Sequence, residues 1–264
     1  MELTQRQLNE LEYHRVKAKH TPSQRVNLDV VTQDQRRWWN AYWHTWTILR
    51  DIGSELRGKR VLVVGCGFGE DAIRLAKLGC EVSAFDLSPE SIRVAADSAE
   101  LMYFDIEWSI SAAERMPYPD HTFDLVLCID ILHHVDIEAC MNEIIRVSKP
   151  RAVFVANEIY THSWLTKIRE SRAVKAIYPL MRRWVYGTDT PYITADERKL
   201  NEGDLKLVEG GLRWTTYQYF NLLVGRIFPD RWDWLAKLDR WALQNLRSLG
   251  RYFAARVVMV GRLE

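Results

Sequence analysis

The stretch Gly65-Cys66-Gly67-Phe68-Gly69 follows directly on the apolar run Val61-Leu62-Val63-Val64, and few folds accommodate a buried strand that breaks into three alternating glycines. Glycine permits a tight turn and lets backbone approach a ligand closely. The helical pattern Asp71-Ala72-Ile73-Arg74-Leu75-Ala76 opens next, with its first N–H groups turned toward the same spot. A second apolar run over residues 81–85 ends in Asp86, 21 residues beyond Gly65. That spacing sets a carboxylate opposite the glycine turn, where it can accept both hydroxyl protons of a ribose. A dinucleotide fingerprint wants Gly or Ala at position 70. Glu70 stands there instead, and its charge opposes a pyrophosphate, which disfavours a nicotinamide oxidoreductase.

From residue 59 to 158 short apolar runs alternate with helical periods, the signature of a parallel, doubly wound α/β sheet. Strands are expected near 60–64, 81–85, 106–110, 123–128 and 152–157, then at 212–219 and, closing the chain, 252–260. Tryptophan divides the sequence further. Of 11 tryptophans, only Trp108 lies in the glycine-bearing part, so the others mark added helical segments. Residues 2–20 read as a helix with Leu3, Leu8 and Leu11 toward one side. Trp39, Trp43 and Trp46, beside Trp38, Tyr42 and Leu49, form aromatic rows at helical spacing, predicting one helix over about 33–56. The expected plan is a helical cap over 1–57, a core over 58–158, a helical lid insertion over 159–203, and a return to the core over 204–264 with a helical insertion at 220–250.

Five segments in order resemble class I S-adenosylmethionine-dependent methyltransferases, in particular the small-molecule branch. They are the glycine turn, Asp86-Leu87-Ser88-Pro89, the loop Ala113-Glu114-Arg115-Met116-Pro117-Tyr118-Pro119-Asp120, the strand Phe123-Asp124-Leu125-Val126-Leu127 followed by Leu132-His133-His134-Val135, and Arg146-Val147-Ser148-Lys149-Pro150. The resemblance implies a Rossmann-like, mostly parallel seven-stranded sheet in the order 3-2-1-4-5-7-6 with an antiparallel last strand, plus helical caps. It also implies S-adenosyl-L-methionine as cofactor, held by Gly65, Cys66, Gly67, Gly69, Asp86, Leu87, Ala113, Glu114 and Ile129. The chain departs from the family at Val63 and Ala112, where acids are usual, and at Arg151-Ala152 in place of Gly-Gly. Glu114 or Asp71 is available to supply a missing acceptor.

Methyl transfer is an in-line displacement, so the protein must align the acceptor and, for a hydroxyl, remove its proton. Histidine suits that role near neutral pH. His133 and His134 follow the fourth strand and Glu158 ends the fifth. In the O-methyltransferases this segment resembles, a histidine here acts as base with a carboxylate nearby, which makes His133 the first expectation and His134 the second. N- or C-methylation on the same scaffold stays open, as does a binding module without catalysis.

The 36 basic and 35 acidic residues leave a net charge of +1, which gives no global pull toward nucleic acid. Cys66, Cys80, Cys128 and Cys140 lack metal-ligand spacing, so free thiols in a reducing compartment and no metal site are expected. Residues 1–20 lack the apolar core of a signal peptide, and no apolar run is long enough to span a membrane; a cytoplasmic protein with a small-molecule acceptor is expected. Residues 167–183 carry six basic side chains against Glu170, and with interleaved apolar residues could form a basic amphipathic helix on a lipid surface, although a solvated face is favoured.

Overall fold

The computed structural model describes residues 4–33, 37–169, 171–172, 198–224, 228, 232–245 and 247–264. Seven strands form one sheet: β1 (Arg60–Val64), β2 (Glu81–Asp86), β3 (Glu107–Ile110), β4 (Phe123–Ile129), β5 (Ser148–Ile159), β6 (Leu212–Phe220) and β7 (Arg256–Leu263), in the order β3-β2-β1-β4-β5-β7-β6. β7 runs antiparallel to both its neighbours, and the other pairings are parallel. The described helices are α1 (Gln5–His20), α2 (Asp29–Thr32), α3 (Ala41–Asp51), α4 (Gly53–Leu56), α5 (Glu70–Lys77), α6 (Pro89–Glu100), α7 (Ile137–Val147), α8 (Ser163–Arg169), α9 (Glu202–Glu209), α10 (Asp233–Asn245) and α11 (Arg247–Phe253).

Continuous apolar runs serve central parallel strands because helices cover both faces. Leu62, Val64, Val126 and Cys128 pack on one side with Cys140 and Ile144 of α7 and Val208 of α9. Val61, Val63, Leu125 and Leu127 pack on the other with Trp46 and Leu49 of α3 and Ile73 and Leu75 of α5. Period-2 alternation along each strand thus splits the core into two layers. The strand order reverses between β1 and β4, and the crevice at such a reversal is where doubly wound sheets bind ligands.

The structure corrects three expected boundaries. The single helix over 33–56 is broken: the Asn40 side chain accepts from the Trp43 N–H at 3.1 Å and starts α3 at Ala41, which leaves Trp38 outside the helix and half-exposed. An N-cap of this kind satisfies a donor that a continuing helix would otherwise take. The closing strand starts at Arg256 rather than at 252, because Tyr252 and Phe253 finish α11 and pack on His162 and Trp164. β5 is longer than expected and begins at Ser148, with a register shift opposite Phe123 and Leu125. Most of the basic stretch 167–183 lies outside the described residues.

Candidate functional site

The three glycines of the turn have positive φ and different surroundings. A Cβ at Gly69 would lie 2.6 Å from Ala95 Cβ and 2.7 Å from Trp108, so this glycine lets α5 pack against α6 and β3. A Cβ at Gly67 would meet nothing within 4 Å, because that residue borders open space. Asp86 ties the turn to the end of β2: its Oδ2 accepts the Gly67 N–H at 2.9 Å and its Oδ1 accepts the Ser88 N–H at 2.9 Å. The carboxylate is nearly buried, and each oxygen retains a lone pair for a further donor.

A cavity of about 460 Å³ opens at this point. Of the residues expected to hold the cofactor, Gly65, Cys66, Gly67, Asp86, Leu87, Ala113, Glu114 and Ile129 line it, and Gly69 does not. Val63 and Ala112 line it as apolar wall. Burial, followed by the Asp86 charge, pushes the Cys66 thiol well up, so it stays a neutral wall group. Asp71 also lines the cavity and belongs to a buried network, accepting from Tyr42 Oη at 2.5 Å and from Arg74 Nη1 at 3.1 Å. Burial raises its carboxyl, with the Arg74 charge pulling the other way.

The two neighbouring histidines part company. Both sit in a 3₁₀ turn, Leu132–His134, where successive side chains point about 120° apart. His133 is 2% exposed and does not line the cavity; its Nδ1 lies 2.8 Å from Glu158 Oε2. Glu158 is fully buried, and its Oε1 accepts the N–H groups of Ile131 at 2.9 Å and Leu132 at 2.8 Å. His134 does line the cavity. Its Nδ1 lies 3.0 Å from Glu10 Oε1 of α1, within ion-pair range but off the line of a hydrogen bond.

Asp130, His133 and Glu158 place possible ligand atoms within 4.8 Å of one another. Their demands are met within the protein, since Asp130 Oδ1 accepts from Arg256 at 2.5 Å and Glu158 is engaged as described.

The wall that sequence reasoning missed is α1. Gln7, Glu10, Leu11, His14 and Lys17 all face the cavity, and their 3- and 4-residue spacing is a helical stripe whose polar members point inward. The leucine-sided reading hid it; Leu8 is in fact 45% exposed. Gln7 Nε2 donates to Glu114 Oε2 at 3.2 Å, while Glu114 Oε1 accepts the Asp136 N–H at 3.1 Å. His14 packs on Phe68, with ring centroids 6.2 Å apart, and its Nδ1 lies 3.3 Å from Ser91 Oγ. Burial is the main reason its imidazole sits below the ordinary value, against the opposing pull of Asp86 and Glu10.

The site therefore brings the Asp86 carboxylate, a glycine turn open to a ligand, apolar walls and two histidines, His14 and His134, into a single cavity. Residues 62–156 match the family described as "Methyltransferase domain". Norajmaline N-methyltransferase of Rauvolfia serpentina is 36% identical over 117 residues, which cover 43% of this chain and 40% of that protein. A ubiquinone biosynthesis O-methyltransferase of Methylocella silvestris is 40% identical over 80 residues, covering 30% of this chain and 31% of that protein. The chain thus spans less than half the length of these curated relatives. Among solved structures, geranyl diphosphate C-methyltransferase from Streptomyces coelicolor A3(2) superposes with a TM-score of 0.57 at 13% identity, covering 99% of this chain and 100% of that one. This last likeness is one of fold.

Proposed function

This chain belongs to the class I S-adenosylmethionine-dependent methyltransferases, and from that premise we propose that it methylates a hydroxyl of a small apolar or amphiphilic acceptor, with His134 as general base. The donor is S-adenosylmethionine, which supplies an activated methyl group on a sulfonium. Gly67, with open space at its missing Cβ, and Asp86, with two partly free oxygens, suit its ribose. Ile131 and Val135 give the acceptor side an apolar wall. Such walls exclude water and strengthen the electrostatics inside.

The observation that carries the base assignment is that His134, and not His133, lines the cavity containing Asp86. This reverses the order expected from sequence. A base must reach the proton it removes, and His133 is enclosed by protein with Glu158 as its partner. The relatives act, by their names, on both nitrogen and oxygen; an amine acceptor is already nucleophilic and needs no base.

Calorimetric titration with S-adenosylhomocysteine tests the cofactor site first. Radiolabelled methyl transfer from S-adenosylmethionine to matched sets of phenols and tertiary amines then tests the acceptor. We expect turnover with phenols, and a kcat loss of roughly 100-fold to 10,000-fold in His134→Ala with cofactor affinity near wild type. Turnover confined to amines and indifferent to His134→Ala would replace O-methylation with N-methylation. Absence of S-adenosylhomocysteine binding would remove the enzymatic reading altogether.

A further inference from the structure

We infer that Glu10, carried on α1, is the carboxylate that positions the His134 ring, so that seating the N-terminal helix over the cavity completes the base. This rests on the proposed role of His134. A histidine base works best when one ring nitrogen is fixed by a partner and the other is left to take the proton. By sequence that partner would be Glu158. In the structure Glu158 is spent elsewhere, with Oε1 on two backbone N–H groups and Oε2 on His133.

Glu10 is different in kind from Glu12, the other acid of α1. It is 9% exposed in the middle of a helix and faces the cavity. Burying a carboxylate is costly unless it is paired, and two histidines lie beside it: His134 Nδ1 at 3.0 Å from Oε1 and His14 Nε2 at 4.0 Å from Oε2. Ligand-free sites often hold such contacts slightly misaligned, and a small rotation of the His134 ring would bring Nδ1–H onto Glu10.

The relative position of the two residues is set by other groups. Thr4 and Gln7 close a capping box at the start of α1. Gln7 then donates to Glu114, whose second oxygen holds the Asp136 N–H, two residues after His134. One carboxylate thus indexes both α1 and the histidine-bearing turn. The His133 ring lies against that of His134, tilted by 43° with centroids 4.0 Å apart, which limits the swing of the His134 ring.

In the resulting arrangement Nδ1–H of His134 donates to Glu10, and Nε2 receives the proton of the acceptor hydroxyl. The acceptor oxygen forms its bond to the methyl carbon while the carbon–sulfur bond breaks, the electron pair remaining on sulfur. The imidazolium is held by the Glu10 carboxylate until its proton passes to solvent. Glu10 acts through His134 and is a positioning residue.

The test uses the full chain with ¹⁵N-labelled histidine and S-adenosylhomocysteine bound. Long-range ¹H–¹⁵N correlation should find neutral His134 as the Nδ1–H tautomer, and Glu10→Ala should convert it to mostly Nε2–H. Glu10→Gln, which keeps an acceptor oxygen but not the charge, should restore the tautomer and regain only part of the turnover. With a phenolic acceptor, Glu10→Ala should lower kcat by roughly 10-fold to 100-fold, and Glu10→Ala with His134→Ala should be no slower than His134→Ala alone. An unchanged tautomer in Glu10→Ala, or losses that multiply in the double variant, would overturn the inference. Full turnover in His134→Ala would instead remove the base reading on which it rests, while the tautomer would still report whether Glu10 holds the ring.

Discussion

His133 and Glu158 face each other at 2.8 Å in a part of the structure sealed from the cavity, and the same carboxylate accepts the N–H groups of Ile131 and Leu132. Glu158 therefore fastens the segment that carries His134 onto the end of β5. Glu158→Ala would strand two N–H groups and a buried imidazole, at an expected cost of about 3 to 5 kcal/mol. Glu158→Gln should be much milder, since its amide oxygen can keep both N–H groups while its NH₂ donates to an unprotonated Nδ1 of His133. Urea unfolding measures both. Equal and small effects would mean that the pair does not hold this segment.

Asp86 does two jobs that separate experimentally. Its contacts to Gly67 and Ser88 hold the turn, and its remaining lone pairs suit ribose hydroxyls. Asp86→Ala should weaken S-adenosylhomocysteine binding by about 2 to 4 kcal/mol and also lower stability. Gly67→Val should act mainly on binding: with no neighbour inside 4 Å, the new side chain fills ligand space, and its positive φ adds a backbone cost of about 1 to 2 kcal/mol. Gly69→Ala should do the reverse and fail in folding, because its Cβ would meet Ala95 at 2.6 Å. Calorimetry beside thermal unfolding distinguishes them, and undiminished binding in Gly67→Val would move the cofactor elsewhere.

The sheet could be read from sequence because each of its signals is local. Val61 to Val64 needs cover on both faces, Gly67 opens the turn, and Asp86 lies at a spacing that only a strand–helix–strand unit brings back to that turn. The boundaries that failed were set by competition with nearby groups: Asn40 capped α3 where the aromatic rows suggested continuity, and the rings of Tyr252 and Phe253 drew residues 252–253 into α11. Which histidine faces the cavity has no local signal, since adjacent residues of a 3₁₀ turn point apart and only the third dimension decides between them. The inward polar stripe of α1 was visible in principle. Glu10, His14 and Lys17 share one helix face, but whether such a face meets solvent or a cavity depends on where the helix docks.

His44 of α3 gives the fold a pH dependence of definite sign. Its ring packs beside Phe220, with centroids 5.4 Å apart, and burial, with the Arg240 charge second, pulls its imidazole down to about 4. The unfolded chain binds a proton at this residue below about pH 6.5, whereas the folded protein takes one only near 4. Stability is therefore undiminished above the unfolded value, falls as pH drops through the interval, and levels off below the folded value. The full linkage is about 3 kcal/mol, and screening of a partly accessible ring reduces it to about 1 to 2 kcal/mol. His14, also displaced downward by burial, adds a loss of the same sign. Urea unfolding of His44→Gln between about pH 7 and 4 should show a shallower decline than wild type. Parallel curves for the two proteins would show that His44 titrates alike in the folded and unfolded chains.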